Sequence, residues 1–517
     1  MPMKKSTLRL ILIPIIILCF SQSYGQEKLL DPGELYDSSM KLYDQGRCEE
    51  AIEGFSKIVQ SAPAGSFIAY SQYMIGLCYL KMEKYEEATQ QLGLYLKNYP
   101  DGNRVREAEE GVKIAKEQLK EKALGPPPVS KPVVKKSSPM KKKTTRRICA
   151  QVSYLEGKNL EEVEQRVKEL KNAGVNTILF RVFQNKGDRL YKFVKAQQDE
   201  GVYFKTEYAP VVDDILGKIA EIVHRNGLEL FAWITTRYAN YGLKEPPEYR
   251  CKSYNFETKK MEVSRGFNLF HPDVLKHLEG LLRDLGRTPI DGILFQDDLI
   301  LKHNEDFSTE ANRAFQKEFG YLPHPDLFYI DPYKSENGKY YVKAYTDRFW
   351  TWANWKNRWL MNVAKRLMTV ARESNPNLQF AINLYFEAIL NDRNGLAWFS
   401  QTLPGALENH FDYYAIMAYH RQAMKDRNIE VKEAIGLMAD VAQKAVKTIG
   451  DPSKVMMKVW ILDWKSNEAV GYELAPRKEI EEILTAILAR GEVSLAFVPY
   501  IDQFPFYSLK GKWVPSK

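Results

Sequence analysis

The spacing of apolar and polar residues changes near residue 148 and divides the chain into two parts. Before that point, apolar residues recur every three to four positions, which is the spacing of amphipathic helices. After it, short apolar runs alternate with amphipathic segments, which is typical of buried strands that are each followed by a helix. We therefore expect a small all-α region followed by an α/β region.

The helical part contains an internal repeat within residues 33–122. The segment GRCEEAIEGF (46–55) matches EKYEEATQQL (83–92). Each unit is predicted to be a helix pair, so residues 26–122 resemble tetratricopeptide repeats, with residues 104–121 as a third, capping helix. Stacked repeats of this kind present a groove. We expect them either to bind a protein partner of an export or synthesis machinery or to act as a spacer.

The α/β part contains eight apolar runs that predict strands. They are residues 148–153, 176–183, 228–234, 290–296, 378–384, 412–418, 455–462 and 494–499. The amphipathic segments between them predict helices, among them residues 160–173, 210–226, 271–286, 429–448 and 476–490. Eight strand–helix units over residues 148–517 predict a (β/α)8 TIM-type barrel with insertions. The main insertion, residues 321–345, precedes a long Trp-rich helix at residues 348–374.

The first 25 residues predict an export signal. Basic residues at positions 4, 5 and 9 precede a short apolar run, Leu10 to Phe20, and small residues follow at Ser23 and Gly25. This is the pattern of a signal peptide cut after Gly25, and the apolar run is short for a membrane span. We expect a periplasmic or secreted protein that can stay associated with the envelope; an uncleaved anchor is the alternative.

The net charge of +8 is concentrated outside the predicted domains. Residues 123–147 hold eight Lys or Arg and no acid, and residues 1–25 add three more, which leaves the rest of the chain slightly acidic. Because residues 123–147 are also rich in Pro and Ser, we expect a disordered basic linker that either holds an acidic polymer or phospholipid or is simply a solvated spacer. No basic stripe lies on a predicted helix or strand, which argues against nucleic acid as a partner.

The spacing of cysteine and histidine gives no sign of a metal or cofactor. Four cysteines follow the signal segment, namely Cys48, Cys78, Cys149 and Cys251, without CxxC spacing, and the seven histidines form no HxH or HExxH motif. Disulfides are permitted in an exported protein, but we expect buried free thiols. We predict no cofactor and no metal site.

Polar and aromatic residues follow the predicted strands, where (β/α)8 barrels keep their functional residues. Asp297 and Asp298 end the fourth strand in the stretch DGILFQDDLIL (291–301) and are the candidate catalytic residues. The candidate substrate-binding residues are Gln184, Trp233, Arg237, Gln296, Tyr385, Glu387, Tyr419, His420, Asp463, Trp464 and Asp502. Acids and aromatic rings at one mouth suit a sugar, because rings stack on its C–H faces and carboxylates bind its hydroxyl or ammonium groups.

The two adjacent acids fit glycoside cleavage. That reaction needs a carboxylic acid at the leaving oxygen and a second group, a carboxylate or the substrate's own acetamido group, for the oxocarbenium charge. Adjacent acids repel each other, so one pKa rises toward neutral pH. Strand alternation lets only one of Asp297 and Asp298 face the barrel axis squarely. The alternatives are structural: Asp298 as a turn cap, Asp297 as the partner of an arginine, and His420 as a packing residue rather than a catalytic one.

Five segments resemble one known family in the same order along residues 148–517. They are LKNAGVNTILFRVFQNKGD (170–188), RNGLELFAWI (225–234), IDGILFQDDLILKHNEDFS (290–308), AWFSQTLPGALENHFDYYAIMAYH (397–420) and LDW (462–464). The family is the C-terminal glycoside-hydrolase domain of poly-β-1,6-N-acetyl-D-glucosamine N-deacetylases. The resemblance implies an exported barrel that hydrolyses partly deacetylated poly-β-1,6-N-acetylglucosamine, a biofilm exopolysaccharide. It implies Asp297 and Asp298 as the catalytic acids, with Tyr419, Asp463 and Trp464 in the groove.

The sequence departs from that family in three respects. A helical repeat stands where the family has its metal-dependent deacetylase domain, so no deacetylase activity is expected. Gln296 stands where the family often has His, which bears on substrate choice or pH dependence. The repeats are reminiscent of the export side of such polysaccharide systems. These departures keep two alternatives open: a non-catalytic polysaccharide-binding scaffold, and a barrel hydrolase of another glycan such as a cell-wall or galactosamine polymer.

Overall fold

The computed structural model describes residues 32–61, 66–100, 104–123, 145–152, 155–188, 191–238, 243, 246–335, 340–463, 474–500, 504 and 506–513. The predicted signal peptide and nearly all of the predicted linker lie outside these residues. The chain divides into two compact units, residues 1–135 and 136–517. The first is helical and the second is a barrel, and each is described by itself.

The described part of the helical unit consists of five helices, each packed on the next. They are α1 (Pro32–Asp44), α2 (Cys48–Ser61), α3 (Ser66–Lys81), α4 (Tyr85–Asn98) and α5 (Val105–Ala123). Small residues allow the close crossings: Ala51 and Ala88 are fully buried. A Cβ atom at Gly76 would lie 2.5 Å from a methyl carbon of Leu92, so larger residues are excluded there. This is the predicted tetratricopeptide-like arrangement, with α5 at the place of the predicted third helix.

The barrel unit contains all the strands in the described part of the chain. They are β1 (Ile148–Val152), β2 (Thr177–Arg181), β3 (Phe183–Gln184), β4 (Gly201–Val202), β5 (Glu229–Ile234), β6 (Arg250–Asn255), β7 (Lys260–Phe267), β8 (Gly292–Phe295), β9 (Tyr329–Lys334), β10 (Tyr340–Tyr345), β11 (Gln379–Tyr385), β12 (Tyr413–Ala418), β13 (Val455–Trp460) and β14 (Ser494–Val498). Eight of them close a parallel barrel in the order β1-β14-β13-β12-β11-β8-β5-β2. Each barrel strand falls within or one residue beyond one of the eight predicted runs, so the predicted (β/α)8 barrel is confirmed.

Twelve described α-helices belong to the barrel unit. They are α6 (Leu160–Ala173), α7 (Leu216–Arg225), α8 (Pro272–Gly286), α9 (Thr309–Phe319), α10 (Asp347–Arg372), α11 (Glu387–Leu390), α12 (Asp392–Phe399), α13 (Leu403–Leu407), α14 (His420–Arg427), α15 (Val431–Ile449), α16 (Arg477–Leu488) and α17 (Phe506–Trp513). No helix in the described part of the chain is long and apolar enough to cross a lipid bilayer.

One predicted helix begins later than expected. Residues 210–226 were predicted to be helical throughout, but α7 starts at Leu216. The preceding residues pair with β4 instead: the Val212 amide donates to the carbonyl of Val202, and Val202 and Val211 form a parallel bridge. Backbone pairing therefore replaces the first turn and a half of the predicted helix.

The amino-terminal end of the barrel is closed by one arginine. Arg147, which precedes β1 and is 2% exposed, pairs with Glu229 at the start of β5. It also donates to Thr177 (2.9 Å) and Gln379 (2.5 Å), the first residues of β2 and β11, and its guanidinium lies over the ring of Phe231. Above this layer an apolar cluster that includes Cys149, Leu179 and Leu294 fills the barrel interior.

Two antiparallel hairpins extend from the loops at the carboxyl end of the barrel. The first, β6–β7, follows β5, and the second, β9–β10, lies between β8 and α10 within the predicted insertion. An ion pair between Lys334 and Glu257 (2.6 Å) joins them. The polar alternation of these segments did not enter the strand prediction, which was built on continuous apolar runs.

Candidate active site

Asp298 is buried and fully engaged with the loop after β5. Its carboxylate accepts hydrogen bonds from the amides of Thr236 (2.8 Å), Arg237 (2.6 Å) and Tyr238 (2.9 Å), and from the Thr236 hydroxyl (3.0 Å). Burial raises the pKa of Asp298, and these four donors oppose the shift because all of them favour the carboxylate. Asp298 therefore fixes the loop that follows β5 against the loop that follows β8, and a catalytic role for Asp298 stays a prediction.

Asp297 is placed differently, at the mouth of the barrel. No other residue in the described part of the chain donates a hydrogen bond to its carboxylate. Burial raises the pKa of Asp297, the positive charge of Lys458 opposes the shift, and the negative charge of Asp298 adds to it. A half-buried carboxyl that accepts no hydrogen bond from other described residues can give or take a proton, or bind a substrate group.

Lys458 is a buried cation inside the barrel, on the strand β13. It is 1% exposed, and its Nζ donates to the side-chain oxygen of Asn383 on β11 (2.7 Å). Burial lowers the pKa of Lys458 to about 8, although the charge of Asp297 opposes this shift. Asn383 is also fixed through its own amide, which donates to the carbonyl of Phe295 (3.0 Å). The lysine is thus held beneath Asp297 by a residue that is itself held in place.

Gln296 belongs to the same network. Its side-chain oxygen accepts a hydrogen bond from the indole of Trp233 and a longer one from Asn383 (3.4 Å). Trp233 in turn lies edge-on to Phe183 and faces the guanidinium of Arg181. Gln296 and Trp233 therefore line the polar top of the barrel interior, next to the two acids.

Two tyrosines, Tyr385 and Tyr419, lie close to Asp297, and further aromatic rings pack on them. Tyr385 stacks on Phe399 with ring centroids 3.8 Å apart and an interplanar angle of 9°. Trp398, beside Phe399, is edge-on to it and 42% exposed. Tyr419 is 9% exposed and packs on Trp460. Burial and the charge of Asp297 raise the pKa of both tyrosines, so they act as neutral hydroxyls at physiological pH.

Glu387 provides a third carboxyl with an altered pKa. It follows β11 at the first position of α11, and its Oε2 atom is buried without a hydrogen-bond partner. Burial raises the pKa of Glu387 to about 7, against the opposing charge of Arg427. The ring of Tyr385 lies within electrostatic range of both Asp297 and Glu387. Glu387 is therefore protonated in a large fraction of molecules near neutral pH.

Two of the predicted substrate-binding residues have protein partners instead of facing open space. Arg237 is fully buried, pairs with Glu305 (3.2 Å) and donates to the carbonyls of Phe267 and Ile300. Gln184, on β3, donates to the carbonyl of Asp199 and accepts from the hydroxyl of Tyr203. These contacts position the loops around the mouth, and a direct role for either residue in binding substrate stays a prediction.

His420 and Asp463 belong to an ion-pair cluster with α16. The fully buried His420 contacts Glu479 (2.6 Å), and Arg421 bridges Glu479 and Asp463. Burial opposes the ionisation of Glu479, but the hydrogen bonds from His420 and Arg421 outweigh it and lower its pKa to about 2. These contacts support the packing alternative for His420. The remaining predicted residues, Trp464 and Asp502, lie outside the described residues.

The structure adds functional candidates that the sequence analysis did not single out. Lys458 could have been identified from the sequence, since it is the one charged residue in the otherwise apolar run VMMKVW. Asn383 likewise interrupts the apolar run of β11. Trp398 lies on the short helix α12. The sequence does not show its place near the mouth, because that place follows from the contact of its neighbour Phe399 with Tyr385. Among the described residues, no group of three or more His, Cys, Asp or Glu could hold a metal ion.

A closed (β/α)8 barrel with carboxyl groups and aromatic rings at the carboxyl ends of its strands is an architecture of the glycoside-hydrolase class. Residues 153–498 match the family described as hypothetical glycosyl hydrolase family 13. The chain belongs to this family. Residues 70–102 match the tetratricopeptide repeat family, in agreement with α3 and α4.

The chain is also similar to proteins whose activities are named. It is 26% identical over 271 residues to the poly-beta-1,6-N-acetyl-D-glucosamine N-deacetylase of Escherichia coli strain K12, and equally to that of strain O157:H7. The match covers 50% of this chain but only 35% of those relatives. The fold resembles the PgaB (BpsB) glycoside hydrolase domain from Bordetella bronchiseptica, with a TM-score of 0.57 at 19% identity over 72% of this chain and 100% of that domain. These matches confirm the predicted resemblance to the glycoside-hydrolase domain of poly-β-1,6-N-acetyl-D-glucosamine N-deacetylases.

Proposed function

We propose that the barrel is a glycoside hydrolase that cleaves inside chains of partly deacetylated poly-β-1,6-N-acetylglucosamine or a closely related amino-sugar polymer. The observation that carries the proposal is Asp297, a carboxyl at the end of the fourth barrel strand that is half buried, raised in pKa and free of donors from other described residues. The name of the Escherichia coli relatives supports the choice of polymer.

In this proposal the acids have different tasks. Glu387, with a pKa of about 7, is protonated often enough near neutral pH to give a proton to the leaving glycosidic oxygen. Asp297 stays ionised beside the Lys458 ammonium group and meets the positive charge that develops at the anomeric carbon. Asp298 holds the loop on which the site depends. Removing a general acid lowers the rate roughly 10²- to 10⁴-fold.

The surroundings of the acids suit an amino sugar. The exposed ring of Trp398 and the Tyr385–Phe399 stack offer faces for the C–H surfaces of pyranose rings. The carboxylate of Asp297 can accept hydrogen bonds from hydroxyl or ammonium groups, and a protonated amine on a deacetylated unit gains an additional charge interaction. Partly deacetylated chains offer such amines at intervals.

We further propose that the protein acts outside the cytoplasm and that the helical repeats bind a protein partner. The predicted signal peptide supports the first part, and the tetratricopeptide match supports the second. In this arrangement the repeats would keep the barrel close to the machinery that makes or exports the polymer.

Product analysis tests the proposed reaction. The full-length protein is incubated with partly deacetylated β-1,6-linked polymer, with fully acetylated polymer and with β-1,4-linked chitosan, and the products are sized by mass spectrometry. We expect short oligosaccharides from the first polymer only. Binding without cleavage would favour the scaffold alternative, and cleavage of chitosan alone would favour a hydrolase of another glycan.

A further inference from the structure

The hairpin β9–β10 carries an aromatic pair that the described part of the barrel leaves largely exposed. Tyr333 and Tyr341 are direct cross-strand neighbours, and they are 52% and 43% exposed. Their rings are stacked, with centroids 5.9 Å apart and an interplanar angle of 28°. Two large aromatic side chains that stack in solvent bury little area by folding, so packing of the barrel does not account for them.

The opposite face of the same hairpin is also largely exposed, at Ile330 and Pro332 of β9, but one side chain contacts the barrel. Val342, between the exposed positions, packs against the main core of the barrel unit. An ion pair between Asp331 and Lys343 (3.5 Å) lies two residues along each strand from the tyrosines. The hairpin therefore presents an exposed aromatic pair bordered by one hydrogen-bond acceptor and one donor.

The base of the hairpin is fastened to the loop that follows the two acids. The hydroxyl of Tyr329, at the start of β9, donates to the carbonyl of His303 (2.7 Å), and the hydroxyl of Tyr345, at the end of β10, contacts the His303 ring (2.9 Å). His303 lies six residues after Asp297. The aromatic surface thus rises from the same rim of the barrel as the candidate catalytic residue.

We propose that Tyr333 and Tyr341 form a binding site for a distal segment of the polysaccharide chain, beyond the sugars at the cleavage site. The negative faces of the two rings attract the C–H surfaces of pyranose units, and Asp331 and Lys343 reach hydroxyl, amine or acetamido groups at the edge. A saccharide chain is the occupant that fits, because a polymer bound at the proposed cleavage site on the same rim extends beyond that site. This inference rests on the proposed function and adds a second contact with the same substrate.

The test separates long chains from short ones. In an Asp297→Asn background, which leaves the polymer intact, the double variant Tyr333→Ala/Tyr341→Ala should bind long polymer about tenfold more weakly. In the active background it should lose a similar factor in kcat/KM on long polymer and none on short oligosaccharides that do not reach the hairpin. Tyr333→Phe/Tyr341→Phe keeps both rings and should retain most of the affinity, and Tyr507→Ala removes an equally exposed tyrosine on α17 as a control.

Other outcomes overturn the inference. Unchanged polymer affinity in the double alanine variant would refute the binding site on the hairpin. Equal losses of kcat/KM on long and short substrates would instead indicate damage to the barrel. A change of the sedimentation coefficient without a change in polymer affinity would assign the surface to self-association. A wild-type protein that neither binds nor cleaves the polymer would refute the proposed function itself, whereas normal wild-type cleavage with an unaffected variant refutes only the hairpin site.

Discussion

The two ends of the barrel both contain buried or half-buried charges, but they are satisfied in different ways. At the amino-terminal end, Arg147 has its carboxylate, amide and hydroxyl partners and an aromatic ring beneath it. At the carboxyl end, Asp297 has no donor among the other described residues, and the pKa values of Lys458 and Glu387 are shifted toward neutral pH. A network in which charges are matched stabilises a fold, and one in which they are left partly unmatched is available for binding and proton transfer.

The largest effect on stability is expected at the matched end. Arg147→Met removes the ion pair and leaves Glu229 and Gln379 without their buried partner, so the free energy of unfolding should fall by about 3–5 kcal/mol. The rate per folded molecule should be unchanged, because the arginine lies at the opposite end of the barrel from Asp297. Urea unfolding and turnover on the same preparations measure both. A lowered rate with unchanged stability would contradict the assignment of stability to one end of the barrel and catalysis to the other.

The reverse pattern, a loss of rate without a loss of stability, is expected for Lys458, the buried cation at the mouth. Lys458→Met removes the charge that keeps Asp297 ionised, so the pKa of Asp297 should rise further and the acidic limb of the pH–rate profile should move to higher pH. The rate at neutral pH should fall roughly ten- to hundredfold. The free energy of unfolding should not fall, since an apolar side chain of similar length replaces a buried charge.

The stability of the wild type supplies an independent check on Lys458. Its folded pKa of about 8 lies below the ordinary 10.5, so the unfolded chain binds more protons between these two values. Stability contributed at this residue should therefore rise as the pH increases from 8 to 10.5. The Lys458→Met variant should lack that slope, and an identical slope in the two proteins would contradict the lowered pKa.

The smallest effect on stability is expected for Glu387, although loss of the proposed general acid should lower the rate about 10²- to 10⁴-fold. The variant Glu387→Gln should lose the alkaline limb of the pH–rate profile near pH 7, because that limb reports loss of the acid's proton. Its raised pKa also predicts that wild-type stability declines as the pH rises from 4.5 to 7, since the folded protein binds the extra proton in this window. Glu387→Gln should lack this decline. An unchanged limb would assign the proton transfer to another group.

The sequence predicted the barrel well because buried parallel strands are apolar on both faces. Eight such runs, from Ile148 to Val498, could be counted directly, and the strand ends then located Asp297, Asp298 and Glu387. What could not be predicted is which of these acids is already engaged. The donors to Asp298 come from residues 236–238, about 60 positions earlier in the chain, and adjacent positions in a sequence do not reveal such long-range contacts.

The two hairpins, Glu387 and Arg237 show the same limit, because their surroundings also depend on contacts between distant positions. The hairpins β6–β7 and β9–β10 alternate polar and apolar residues, and the ion pair that joins them, Lys334 with Glu257, links residues 77 positions apart. The pKa of Glu387 depends on burial by helices that pack on α11. Arg237 stood at a strand end as a substrate-binding candidate, yet its partners come from two other segments of chain, at Phe267 and in the loop that holds Ile300 and Glu305.

The most direct measurement is the rate at which Asp297→Asn and Asp298→Asn cleave partly deacetylated β-1,6-linked polymer, each normalised to the folded fraction and set beside the unfolding free energy. We expect Asp297→Asn to keep the stability of the wild type and lose at least about 10³-fold in rate. Asp298→Asn should unfold more easily, because its amide nitrogen faces donors, and should keep more of its rate per folded molecule than Asp297→Asn. Wild-type cleavage by Asp297→Asn would contradict the assignment of Asp297 as the reactive carboxyl.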